Sequence, residues 1–228
     1  SQHPEINRFI MNKQYYARNN CSVAYTVLRE SQNHDSAETT VRIEFDLTDT
    51  IFDVRDRMVK EVEANRGSSE ENDTFVQKLA SAVLAIPGLA TVIVALVRLL
   101  DRYGIAPKIL IKELPFYTGM FITNNASIGL HHVWHHIYNF GNVSMFVGMG
   151  SPLKEAVVEA DGKVRMKRWL PIGITVDERV TSGAHYAAFF ADIVRSLNHP
   201  ETLETPPENI RFDKGVEYHV DKIKKAQG

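Results

Sequence analysis

Four imidazoles fall within six residues at His131-His132-Val133-Trp134-His135-His136. On a helix, His131 with His135 and His132 with His136 would stand one turn apart, a spacing that can chelate zinc. On a strand, the odd and even members would point to opposite faces. No Glu lies between the pairs as in an HExxH motif, and no nearby Cys completes a ligand set, so a metal-dependent enzyme is the least favoured reading. A polar cleft or subunit contact fits the cluster better. Proton transfer also fits, because imidazole titrates near neutral pH. The second candidate is the polar turn Asp177-Glu178-Arg179-Val180-Thr181-Ser182-Gly183. A turn held between a buried strand and a helix can fix a catalytic group while leaving it reachable.

The elements around these residues follow from apolar periodicity. Leu170 to Val176 is β-branched and apolar, as a buried strand requires. Ala187, Phe190, Ile193, Val194 and Leu197 recur at helical spacing after the turn. Upstream, Ser22–Leu28 reads as a strand, and in Val41–Leu47 apolar Val41, Ile43 and Phe45 alternate with polar residues, the pattern of a half-exposed strand. Arg29–Thr39 between them lacks periodicity and reads as a loop. Asp49 or Thr50 is placed to cap a helix over Ile51–Asn65, with Ile51, Val54, Met58 and Val62 on one face and Gly67-Ser68-Ser69 at its end. A further helix is expected to start in Asp73–Ala82. Ala80–Val97 carries no charge, but Pro87-Gly88 divides it, which predicts a buried helical pair. A membrane-spanning helix needs about 20 continuous apolar residues, so lipid contact through 80–100 is the lesser alternative. Glu155–Ala160 and Lys163–Trp169 predict a hairpin about a tight Asp161-Gly162 turn. Val216–Lys225 could form a short terminal helix.

Several of these stretches resemble one known family. Asp177, Arg179, Val180, Gly183 and Ala184 match the Asp-His-Arg-Val-x-Asp-Gly-Ala signature of chloramphenicol acetyltransferase-like acyltransferases. The nearest resemblance is to the catalytic domain of dihydrolipoyl acyltransferases, the cores of 2-oxo acid dehydrogenase complexes. His3–Ile10 looks like the family's Phe-Pro-Glu-Leu-Asn-x-x-Ile. Met120-Phe121-Ile122-Thr123-Asn124 looks like its Phe-Thr-Ile-Ser-Asn strand. Ile137–Val143 followed by Ser144–Gly150 is similar to its Ile-Ile-Asn-Pro-Pro-x-Val and the strand after it, with Phe140 and Gly141 in place of two prolines. Two positions depart: Glu178 stands where the family has its general-base His, and Ser182 where it has Asp or Asn.

The resemblance implies an α/β fold, a two-layer sandwich of a mixed β-sheet covered by helices, assembled as a homotrimer. It implies a domain over 1–204, with an apolar helical insertion at 80–104, a polar tail at 205–228, and the family's amino-terminal strand and helix missing ahead of His3. It implies a coenzyme A-dependent acyltransferase that moves an acyl group from a thioester to a thiol or hydroxyl acceptor, with acyl-coenzyme A as substrate and no metal. Thr123 would keep the hydroxyl that some relatives use to donate to the oxyanion. Glu178 would be the altered base, with Ser182 beside it. An ordinary Glu, at a pKa of about 4.3 against about 8.5 for a thiol, is a weak base for this work unless burial raises it. One of His131, His132, His135 and His136 could replace the base, in trimeric relatives from across the subunit interface. The alternative is a chain degenerate for transfer: a non-catalytic trimeric scaffold with an apolar ligand pocket. His185, inside the helix, is expected to pack or hydrogen-bond locally.

Composition narrows the rest. Length 228 suffices for a substantial core, and a net charge of −2 with interspersed signs excludes a nucleic-acid surface. Cys21 is the only cysteine, so no intrachain disulfide can form, and a reducing, cytoplasmic setting is expected. Its expected role is a small residue packed in a strand, in preference to a reactive thiol.

Overall fold

The computed structural model describes residues 2–28, 38–66 and 88–213. Residues 29–37 of the loop expected over 29–39, the helix end at 67–69, the helix beginning in 73–82, the first half of the apolar run and the terminal helix at 216–225 lie outside the described residues, while Glu38 and Thr39, expected in that loop, already belong to a strand.

A hairpin of β1 (Arg8–Met11) and β2 (Gln14–Ala17) opens the chain, turning through Asn12 and Lys13, both at positive φ. Next come β3 (Cys21–Leu28), β4 (Glu38–Phe45) and α1 (Ile51–Arg66). Helices α2 (Leu89–Arg102) and α3 (Lys108–Glu113) precede β5 (Met120–Asn124). After β6 (Met145–Met149), β7 (Leu153–Val158) and β8 (Val164–Trp169) form a hairpin, and β9 (Ile172–Val176) leads to α4 (Gly183–Asn198). Five strands make one mixed sheet in the order β4-β3-β5-β6-β9, with β3, β5 and β6 parallel and the outer strands antiparallel to their neighbours. The α/β mixed-sheet fold is therefore as the sequence implied.

One face of the sheet packs on α1. Met58 and Val62 lie against buried Val27, Val41 and Ile43, so the predicted alternation of the strand holds. The cap is Thr50: its Oγ1 accepts from the Asp53 amide at 3.3 Å, and the Asp53 carboxylate accepts from the Thr50 amide at 2.9 Å, a reciprocal capping pair. Ile51, the first residue of the helix, departs from the predicted apolar face and is exposed. A second cluster joins Ala24, Phe121, Val143 and Phe146, with Ile137 and Tyr138 against it.

Other expectations are corrected. In α4, Tyr186 is buried while Ala187, Val194 and Leu197 are exposed. The inward face is set by Tyr186, whose hydroxyl donates to the Asp177 carbonyl at 3.0 Å. Helix α2 begins after Gly88 at φ +83, as the Pro-Gly break predicted, but it is not a buried helix. Val92, Leu96 and Leu99 face outward. Among the described residues no helix is long and apolar enough to cross a membrane. The β7–β8 turn is one residue longer than a two-residue Asp-Gly turn, with the Glu159 amide donating to the Lys163 carbonyl at 2.9 Å and Gly162 at φ +75.

Where the family has two prolines, Phe140-Gly141 passes under Phe116. Gly141 sits at φ +77, and a Cβ there would stand 2.4 Å from the Phe116 carbonyl oxygen, so neither proline nor any L side chain fits. The loop is held from two sides. The buried Asp101 carboxylate accepts from the Tyr117 hydroxyl at 2.6 Å and the Gly141 amide at 3.1 Å, and Arg18 donates to Asn142. Burial, then the contact with Asp101, pushes the Tyr117 hydroxyl well above its ordinary pKa. Gly141→Ala is expected to cost more than about 1 kcal/mol of stability in chemical denaturation, whereas Asn139→Ser at the exposed neighbouring position leaves the midpoint nearly unchanged.

Candidate functional site

Residues 131–138 form neither the helix nor the strand considered above. They cross the sheet as irregular chain over a floor of glycines. Gly148 and Gly173 are register partners on β6 and β9, and a Cβ on either would lie 2.8 Å from the Val133 carbonyl oxygen. At Gly150 it would lie 2.1 Å from the His132 amide nitrogen. Only a strip of the sheet without side chains admits a second backbone this close. The crossing separates the imidazoles: His131 and His136 are exposed, while His132 and His135 are half-buried. Among the described residues no three His, Cys, Asp or Glu side chains gather as a metal site would need.

His135 lies stacked on the fully buried Phe146 ring, with centroids 4.1 Å apart at 26°. Its Nε2 is 3.4 Å from Thr123 Oγ1, a loose contact that a bound substrate could tighten. Thr123 stands opposite Gly148 near the carboxyl ends of the parallel strands. Burial, then the neighbouring His136, lowers the His135 pKa from its ordinary value, so the ring is a neutral imidazole at pH 7. Asn125 Nδ2 and His132 Nδ1, both beside the glycine floor, are buried without a hydrogen-bond partner among the described residues. The structure thus brings together two of the residues singled out in the sequence, Thr123 and His135.

The turn Asp177–Ser182 keeps the signature's shape by other means. Arg179 clasps the Asp177 carboxylate through Nε at 2.8 Å and Nη2 at 2.7 Å. Burial pushes the Asp177 carboxyl up, but Arg179 outweighs it and holds the pKa below the usual range. Val180 is buried, and Gly183 joins strand to helix. Burial, aided by Asp177 and Glu178, pushes the Tyr186 hydroxyl up to about 12, keeping it a donor. Glu178 and Ser182 are both exposed. His185 Nδ1 lies 3.0 Å from the hydroxyls of Thr181 and Ser182, a local contact as expected. The register places Gly173 level with Thr123, and β9 runs three residues farther to Val176, about 10 Å at ~3.3 Å per residue, before Glu178 is reached. Within one chain Glu178 and Thr123 therefore lie toward opposite ends of the sheet. Cys21 is half-buried with its thiol pKa raised chiefly by burial, a packed residue in β3.

Residues 118–205 match the family model described as 2-oxoacid dehydrogenases acyltransferase (catalytic domain). From Thr118 to Thr205, less than half of its length, the chain is similar to this acyltransferase family. Solved structures similar to it include the cubic core of the pyruvate dehydrogenase multienzyme complex (13% identity, TM-score 0.47) and a dihydrolipoamide acetyltransferase of Azotobacter vinelandii (15%, 0.47). Each match covers 89% of this chain and 64% of the other, so the chain spans less than two thirds of their length. A probable dihydrolipoamide acetyltransferase of Listeria monocytogenes is similar at 12% identity and TM-score 0.43, over 92% of this chain and 67% of that one. No curated protein matches. The acyltransferase residues that this chain shares are those that shape the turn, and the two it lacks are those that face solvent.

His135 should titrate below the ordinary histidine midpoint of about 6.5 in two-dimensional nuclear magnetic resonance. His136→Gln should raise that midpoint without restoring it fully, since burial is the larger cause.

Proposed function

We propose that the chain is a coenzyme A-dependent acyltransferase whose base has moved to His135, acting with Thr123. The observation that carries this reading is the 3.4 Å approach of His135 Nε2 to Thr123 Oγ1 at the carboxyl ends of parallel strands, where open α/β sheets bind ligands. The acceptor's S–H or O–H gives its proton to Nε2 as its sulfur or oxygen attacks the thioester carbonyl. Thr123 donates to the oxyanion that forms. Collapse of the tetrahedral intermediate breaks the carbon–sulfur bond, and the departing thiolate takes the proton back from Nε2. A neutral, half-buried imidazole suits both transfers. Exposed Glu178 does not, and neither does Ser182, which cannot hold a charge.

A homotrimer is part of this proposal. The β7–β8 hairpin stands away from the main sheet with Val158, Val164, Met166 and Trp169 exposed, an apolar ribbon suited to a neighbouring copy. Sedimentation should give three copies per particle, and Val164→Asp with Met166→Glu should dissociate them.

Full-length protein with a panel of acyl-coenzyme A donors and a dithiol acceptor tests the chemistry. His135→Gln should lower kcat/KM by about 10²–10⁴ and Thr123→Val by about 10²–10³, with Glu178→Gln causing less than about a tenfold loss. Transfer should hold as pH falls through about 6.5 and decline only below the lowered pKa of His135, where the imidazole becomes protonated. An equal loss from Glu178→Gln and none from His135→Gln would move the base to Glu178 of a second copy. No transfer with any donor would leave the trimeric scaffold.

A further inference from the structure

A buried charge is tolerated where an opposite charge or a full set of hydrogen bonds meets it. Arg18 has neither. It is 5% exposed, and its Nη atoms reach only neutral acceptors, Asn142 Oδ1 at 2.8 Å and the Asn142 carbonyl. Its Nε is buried without a partner. The Phe9 ring lies under the guanidinium at 4.7 Å. The strongest neighbouring charge is of the same sign, Arg42, whose own Nε is also buried and unpartnered. Arg42 donates to the Ile111 carbonyl at 2.7 Å and to Glu44 at 2.9 Å. Burial, reinforced by Arg42, brings Arg18 down to about 9, so it is still cationic at neutral pH.

Both guanidiniums line a cavity of about 790 Å³ that Arg8 also borders. Among the described residues its only carboxylate is Asp213, which accepts two bonds from Arg8 at 2.6 Å. Tyr15 and Tyr16 form another wall, with Tyr16 stacked on Phe9 at 5.3 Å. Guanidinium forks suit phosphate oxygens, and aromatic faces suit a planar ring.

We propose that this cavity binds a phosphate group carried on a planar aromatic moiety, a nucleotide-type ligand, with Arg18 and Arg42 on the phosphate and Tyr15 and Tyr16 against the ring. The proposal does not depend on acyl transfer and survives its failure.

Calorimetry on the full chain with inorganic phosphate and then adenosine monophosphate tests it. One site is expected, weakened by high salt, with the nucleotide bound about tenfold or more tightly than phosphate through stacking. Arg42→Gln should weaken both ligands about tenfold or more, and Tyr15→Ala should remove only the nucleotide's advantage. Circular dichroism checks that each variant folds, and the test does not rely on Arg18, whose removal would free the Asn142 loop. Absence of binding, or binding unchanged in Arg42→Gln, overturns the site, and a nucleotide no tighter than phosphate overturns its aromatic part. Displacement of the nucleotide by coenzyme A would identify a thioester donor's nucleotide end as the source, and failure to displace it a separate nucleotide.

Discussion

The absence of side chains on one strip of the sheet is the constraint from which the rest of the candidate site follows. Two peptide backbones approach within contact distance only where nothing projects between them, and Gly148, Gly150 and Gly173 clear that strip on adjacent antiparallel strands. The segment bearing the imidazoles can then lie flat on the sheet. That placement stacks His135 on Phe146 and brings it to Thr123. It also removes the geometry in which His131 and His135, or His132 and His136, could have shared a metal.

The turn at Asp177–Ser182 keeps its shape through contacts that do not involve the residues departing from the signature. Asp177, Arg179 and Val180 hold it through an ion pair and burial, and Tyr186 ties the following helix to the Asp177 carbonyl. Glu178 is exposed, and the exposed Ser182 hydroxyl makes a local contact with the His185 ring at 3.0 Å, so exchanging the residues there costs the scaffold little. At the other end of the sheet the glycine floor admits a second element, the segment that carries His135.

Polar groups inside this chain do structural work as well. Asp101 and Arg18 hold the Phe140–Asn142 loop by hydrogen bonds, beside the edge-on packing of Phe140 against Phe116 and Tyr117. Asp101 is satisfied by a hydroxyl and an amide. Among the described residues Arg18 is without a counter-charge, and that imbalance distinguishes its cavity from an ordinary packed interior.

What the sequence by itself determined is most of the elements and the family that they resemble. Alternation in Val41–Phe45, the cap at Thr50, the Pro-Gly break before α2 and the strand–turn–helix at Gly183 are local signals, written in residues near one another in the chain. The first hairpin β1–β2 and the short helix α3 escaped notice, since each is only a few residues long. The inward face of α4 was misread because a tyrosine hydroxyl bonding to a carbonyl ranks as polar in an apolar count. Tertiary structure alone decided the path of His131–His136, the pairing of His135 with Thr123 and the separation of both from Glu178. These depend on which residues of distant strands fall in register, and no periodicity within a single segment encodes that.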